Sequence, residues 1–152
     1  DNLGSMAVFR WQSKQINQII SSEINNKTYY CYNLPEPVMF ADKELNKKIK
    51  WDNSYQKIVR EKYVIIISDA GAAKGTYSSQ RVERTEKILE QIRKSAKNVV
   101  WLNPMPEKRW RKTSAIYISL SVRMFEISEK GVLQAIEYLK SNHTYQPFKE
   151  YV

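Results

Sequence analysis

Residues 63–77 constrain the fold of this chain more than any other part of the sequence. The stretch opens with five consecutive apolar residues, Tyr63-Val64-Ile65-Ile66-Ile67. A run without alternation is typical of a strand buried on both faces, and it predicts a central parallel strand between helices. The run ends at Ser68-Asp69, before a loop rich in glycine and alanine. Because open α/β folds place their ligand sites at the carboxyl edge of the sheet, Asp69 is the first candidate functional residue.

Predicted strands and helices alternate through the rest of the second half of the chain. Apolar runs predict further buried strands over residues 99–102 and 124–127. Hydroxyl residues stand before the helical segments and predict helix caps at Ser78 or Ser79, at Thr113-Ser114 and at Ser128. This order predicts an α/β fold, with a Rossmann-like, doubly wound and mostly parallel sheet that carries helices on both faces.

The first half of the chain gives shorter patterns. Apolar residues at three- and four-residue steps predict a helix with one apolar stripe over about 8–24. Aromatic and β-branched residues predict a strand over 27–33, paired as a hairpin with a short edge strand over 38–41. Residues 42–52 are polar and rich in lysine, so we expect a surface loop there, followed by a short helix that leads into residue 63.

The length of 152 residues fits one domain, predicted to span residues 1–142 with a tail over 143–152. The single cysteine, Cys31, excludes an intramolecular disulfide and fits a reducing compartment. No apolar stretch approaches the roughly 18 residues of a membrane span, and the start has no signal-peptide pattern. We therefore expect a soluble, cytoplasmic protein that does not contact a membrane.

The net charge of +9 raises the question of nucleic-acid binding, because lysine and arginine drive that binding by neutralising phosphates. The basic residues are spread over several segments, however, and no known nucleic-acid motif organises them. One run, Arg109-Trp110-Arg111-Lys112, has the basic and aromatic composition of a nucleic-acid contact. We interpret it and the other basic segments as solvated surface, whose positive field favours an acidic partner.

The opening residues and the stretch around Asp69 together resemble the metal-ion-dependent adhesion site of von Willebrand factor A (VWA) domains. That site has the pattern Asp-x-Ser-x-Ser in its first loop, a threonine in a second loop and an aspartate in a third. Asp1 and Ser5 match the first and last ligands of the opening loop, and Asp69 matches the late aspartate. Leu3 departs from the pattern because the family has a serine there. No threonine stands in the second loop, where Ser54 is the nearest hydroxyl.

The resemblance covers nearly the whole chain and is nearest to bacterial, intracellular members of the family, through residues 64–75, 101–106 and 110–115. It implies an incomplete site at Asp1, Ser5 and Asp69. Such a set of oxygens, completed by solvent, would hold a hard cation such as Mg²⁺ weakly.

The resemblance also implies a module that binds a protein partner and does not catalyse a reaction. Bacterial relatives commonly work with AAA-type ATPases of the MoxR kind, which would then be the partner. Two further residues are candidates for the same site. Ser54 stands near the second loop, and Asn103 ends another predicted strand at the carboxyl edge, near Asp69.

In the family, a central strand leads into the opening aspartate, whereas the present sequence begins at Asp1. We expect that strand to belong to the protein outside the present sequence. A rival interpretation makes Gly4-Ser5-Met6 a remnant of cloning, which would leave Asp1 and Ser5 without a function.

Two alternatives from other classes remain open. One is a metal-dependent, hydrolase-like or phosphate-handling α/β enzyme that uses Asp69 as a metal ligand or nucleophile. The Gly71-x-x-x-Gly75 spacing lacks the Gly-Lys-Ser/Thr ending of a phosphate loop and more simply permits a tight turn. The other alternative is a basic nucleic-acid binder.

For the VWA interpretation, a loop position at the sheet edge predicts that Asp69→Ala costs little fold stability.

Overall fold

The computed structural model describes residues 4–23, 26–31, 38–41, 46–50 and 54–141. From residue 54 onward, strands and helices alternate as the sequence predicts. In chain order the elements are a 3-10 helix at Gly4–Phe9, α1 (Arg10–Glu23), β1 (Val38–Phe40), β2 (Lys48–Lys50), α2 (Ser54–Val59), β3 (Tyr63–Ile67), α3 (Ser79–Arg93), β4 (Asn98–Asn103), a 3-10 turn at Glu107–Arg109, α4 (Ser114–Ser119), β5 (Met124–Glu126) and α5 (Glu129–Lys140).

The main sheet is parallel, and its strand order in the described part of the chain is β3-β4-β5. Trp101 of β4 lies opposite Ile66 of β3 on one side and Met124 of β5 on the other. The middle strand is therefore β4, which is buried from Val99 to Asn103, whereas β3 is only partly buried. The prediction that residues 63–67 form the central strand is wrong for this sheet. An apolar run indicates cover on both faces but does not fix the position of a strand within the sheet.

Alternate residues of the strands enter two separate cores, one on each face of the sheet. On one face the strands pack against α3 and α4, and on the other against α1 and α5, which confirms the predicted α/β arrangement with helices on both faces. The first core includes Ile66, Leu89, Trp101, Ile118 and Met124, and the second includes Ile16, Val100, Leu102, Ala135 and Leu139.

The three predicted helix caps are confirmed, with Ser78 as the cap of α3. The Ser78 hydroxyl accepts a hydrogen bond from the Arg81 N–H, and the Thr113 hydroxyl accepts one from the Ala115 N–H. The Ser128 hydroxyl accepts from the Gly131 N–H at 3.0 Å. At Gly131 the start of α5 also approaches the end of β5, because a Cβ there would lie 2.0 Å from the Glu126 carbonyl oxygen. Only glycine allows this contact.

The first half of the chain departs from prediction in its strands. β1 pairs antiparallel with β2 in a separate two-stranded sheet, so the expected loop over 42–52 contains a strand. Lysines on both sides of Ile49 are typical of an edge strand and concealed its pattern. In the described residues 26–31, the predicted strand over 27–33 is reduced to one bridge between Tyr30 and Phe40. That bridge confirms the antiparallel pairing with β1.

The predicted first helix is present, but its apolar stripe is only partly buried. Ile16 is buried and Ile20 half-buried, whereas Val8 and Trp11 are 79% and 67% exposed. The packed face of α1 is therefore narrower than the apolar pattern. The predicted tail over 143–152 lies outside the described residues. No helix in the described ranges has the length and apolar character that crossing a membrane requires.

The buried Trp101 provides a test of this packing. Its side chain is fully buried and its Nε1–H donates a hydrogen bond of 2.7 Å to the Ser68 carbonyl. Trp101→Phe removes that donor and part of the core volume, so we expect it to lower the free energy of unfolding by about 2 kcal/mol. Urea unfolding followed by circular dichroism measures the change.

The matched control is Trp11→Phe, because the same substitution there affects a side chain that is 67% exposed. We expect a change below about 0.5 kcal/mol for this variant. Equal losses in the two variants would contradict the assigned packing of Trp101.

Candidate functional site

Asp69 and Asn103 lie together at the carboxyl edge of the sheet. Asp69 is the second residue after β3, and Asn103 is the last residue of the neighbouring strand β4. The Asn103 Nδ2–H donates a hydrogen bond of 3.0 Å to the Asp69 carbonyl oxygen. Both side chains are buried, with Asp69 only 1% exposed. Their predicted proximity is therefore confirmed, but Asn103 contacts the backbone of Asp69 and not its carboxylate in this hydrogen bond.

The loop after β3 folds around Asp69. Its carboxylate Oδ2 accepts a hydrogen bond of 3.0 Å from the Ala73 N–H, and its carbonyl oxygen accepts one of 2.8 Å from the Ala72 N–H. Ala70 and Gly71 have φ angles of +52° and +85°, in the left-handed region. The predicted tight turn is confirmed, and the buried Asp69 carboxylate caps it by accepting the Ala73 N–H.

The backbone on both sides of Asp69 is also held from the middle strand. The Ser68 carbonyl accepts from Trp101 Nε1–H at 2.7 Å, and the Asp69 carbonyl accepts from Asn103. The Asn103 side-chain oxygen in turn accepts from the Met105 N–H at 2.9 Å. In this structure Asn103 thus connects two loops, and its predicted role as a cation ligand stays a prediction.

Ser114 joins the loop after β3 to the loop after β4, a role that sequence reasoning missed. Its N–H donates to the Thr76 carbonyl at 3.3 Å, and its Oγ accepts from the Ser78 N–H at 2.9 Å. The side chain is fully buried next to Gly71. The sequence assigned Thr113-Ser114 only as a helix cap. Thr113 alone caps α4, so the hydroxyl of Ser114 is not needed for the cap. That extra hydroxyl was the sequence signal for the second role.

The other predicted ligands are less fully placed. Asp1 lies outside the described residues. The backbone of Ser5 lies in the 3-10 helix Gly4–Phe9, whose Met6 is buried and whose Phe9 packs on the core beneath α3 and α4. Ser54 is the first residue of α2. The ligand roles of Asp1, Ser5 and Ser54 stay predictions.

The donors that the sequence predicts for a site at Asp69 would suit a hard cation. A carboxylate with serine hydroxyls and a second carboxylate is an all-oxygen set, which Mg²⁺ prefers over nitrogen or sulfur ligands. The described residues contain no group of three or more His, Cys, Asp or Glu that could hold a metal ion. Within the described residues, hydroxyl and solvent oxygens would therefore have to complete a site at Asp69, and the predicted second carboxylate, Asp1, lies outside them.

The structure revises the expectation that Asp69→Ala costs little stability. The side chain is buried and caps its loop, so Asp69→Ala leaves the Ala73 N–H without its acceptor. We expect this variant to lose about 1–2 kcal/mol of unfolding free energy. Asp69→Asn keeps an acceptor oxygen of the same shape and should lose less than half as much. Urea unfolding in the presence of EDTA measures both, and equal losses would contradict the capping role.

Comparison with known proteins supports the predicted family. Residues 50–126, just over half of the chain, match a family model described as VWA domain containing CoxE-like protein. The matched region runs from the end of β2 through β5 and includes Asp69, Asn103 and Ser114. Neither a curated protein nor a solved structure matches the chain significantly.

Proposed function

This chain belongs to the family of VWA domains found in CoxE-like proteins, and on that basis we propose that it is a protein-interaction module whose docking point includes a divalent cation. One observation carries the proposal. The Asp69 side chain is fixed at the carboxyl edge of the parallel sheet, where α/β folds place their ligands.

Asp69 would hold the cation together with Asp1 and Ser5, the residues that match the opening loop of the family's site. Mg²⁺ suits these oxygen donors and readily keeps water in the remaining positions. When bound, the ion supplies a coordination place for a carboxylate oxygen of the partner. The protein's own contribution is the rigid loop, because the bonds to Ala72, Ala73 and Asn103 hold Asp69 in place before a partner arrives.

We propose an AAA-type ATPase of the MoxR kind as the partner. This assignment rests on the family, whose bacterial members commonly work with such ATPases. The net charge of +9 adds a physical reason for an acidic contact surface on the partner, because opposite charge speeds association.

The proposed role is binding without catalysis. An enzymatic use of Asp69, as a metal ligand or nucleophile for phosphate chemistry, is the alternative, and turnover of p-nitrophenyl phosphate with Mg²⁺ is its direct test. Turnover that disappears in Asp69→Asn would favour the enzyme over the binding module.

Calorimetric titration with Mg²⁺ tests the cation. We expect weak, saturable binding by the unmodified protein and none by Asp69→Asn, which removes the charge while keeping the shape and the loop acceptor. Glu90→Gln is the matched control, because Glu90 is an exposed carboxylate on α3 and its loss should leave Mg²⁺ binding unchanged. If the folded protein shows no saturable heat, or if Asp69→Asn binds as well as the unmodified protein, the cation site is wrong.

A further inference from the structure

We propose that the protein docks an acidic protein segment on a rim beside the Asp69 loop. The rim consists of Tyr77, Lys108, Arg109, Arg111, Lys112 and Tyr117. The proposal rests on the proposed function in one respect, that the occupant is a protein. It requires no bound cation.

Ser114 connects the two halves of the rim through hydrogen bonds and through the chain itself. Ser114 bonds to Thr76 and Ser78, the residues on either side of Tyr77. Tyr117 lies one helical turn after Ser114, and its ring centroid is 4.9 Å from that of Tyr77. Lys112 stands two residues before Ser114, within about 7 Å along the chain. The pair of aromatic rings is therefore linked through Ser114 to the end of the basic segment.

The side chains of the rim face solvent. Tyr77 is 52% exposed and Tyr117 46% exposed, although the two rings contact each other. All four cations of the segment are exposed, and Glu107 is the one acidic residue between positions 104 and 115. The rim thus combines local positive charge with exposed aromatic surface.

The backbone that carries these cations is held rigid by Trp110. This side chain is 4% exposed, and its Nε1–H donates to the Met105 carbonyl at 2.8 Å. Its carbonyl oxygen accepts from both the N–H and the hydroxyl of Thr113, at 3.1 and 2.7 Å. Because the loop is ordered before binding, docking on it costs less conformational entropy.

These contacts favour a protein over a nucleic acid. Single-stranded nucleic acids stack their bases on open aromatic faces. Trp110, the aromatic residue within the basic run, is buried, and Tyr77 and Tyr117 pack against each other with their planes at 56°. Tyrosine and arginine at a partly apolar patch are instead characteristic of protein interfaces.

Fluorescence anisotropy with a labelled synthetic peptide tests the rim. The probe is a short peptide rich in Asp and Glu that carries phenylalanine, and it is compared at low salt with an oligothymidylate of similar length. We expect Lys108→Gln/Arg111→Gln to weaken peptide binding about fivefold. The matched control is Lys57→Gln/Arg60→Gln, which removes the same charge from exposed positions just before β3, at the opposite edge of the sheet. It should change binding less than about twofold.

The aromatic half of the rim has its own test. Tyr117→Ala should weaken the binding of the phenylalanine-containing peptide more than the binding of a peptide with serine in place of phenylalanine. Three results would overturn the proposal. The two charge variants could have equal effects, Tyr117→Ala could affect both peptides equally, or the oligothymidylate could bind more tightly than the peptide. Binding that persists in EDTA supports it. Loss of peptide binding in EDTA would overturn the cation-independent rim but not the proposed cation-dependent function. A failed Mg²⁺ titration would overturn the cation site but not the rim.

Discussion

The carboxyl end of β3 is held in place by two polar side chains from the neighbouring strand. Trp101 and Asn103 are alternate residues of β4, and they donate hydrogen bonds to the carbonyls of Ser68 and Asp69. Since all of these groups are buried, unpaired carbonyls would be costly, and the two bonds stabilise the path by which the chain leaves β3. The position of the Asp69 carboxylate follows from that path. Site geometry and core packing are thus fixed by the same two residues.

The two loops to which we assign different functions share this support. The loop after β3 holds the buried Asp69 carboxylate, and the loop after β4 carries exposed cations and is anchored by the buried Trp110. Ser114 bonds to the first loop from the beginning of α4, so movement of one loop would disturb the other. Cation binding at Asp69 and peptide binding on the rim would then occur on one rigid surface.

Much of the second half of the fold could be predicted, because local signals and tertiary packing agree there. Apolar runs located β3, β4 and β5, and the hydroxyl caps of α3, α4 and α5 were correctly identified. The middle position of β4 could not be predicted, because helices cover both faces of β3 as well. The strand β2 was missed because its lysines resemble a loop.

Within the candidate site, the proximity of Asp69 and Asn103 followed from the parallel sheet, since Asp69 follows β3 and Asn103 ends the neighbouring strand β4. The burial of Asp69 and the link through Ser114 did not follow from the sequence. They depend on the packing of the turn into the core with α3 and α4, and on hydrogen bonds from Asn103 and Ser114, which are distant in sequence. The exposed rings of Tyr77 and Tyr117 also gave no sequence signal, because aromatic residues are more often buried.

The close approach at Gly131 shows how unevenly this domain tolerates change. At that position the Glu126 carbonyl occupies the space that even a methyl side chain would need. Descendants of this sequence must therefore keep glycine or shift α5 as a whole. The exposed cations between positions 108 and 112 have no such steric restriction. Relatives could therefore exchange partners by altering surface charge alone, while the scaffold beneath stays the same.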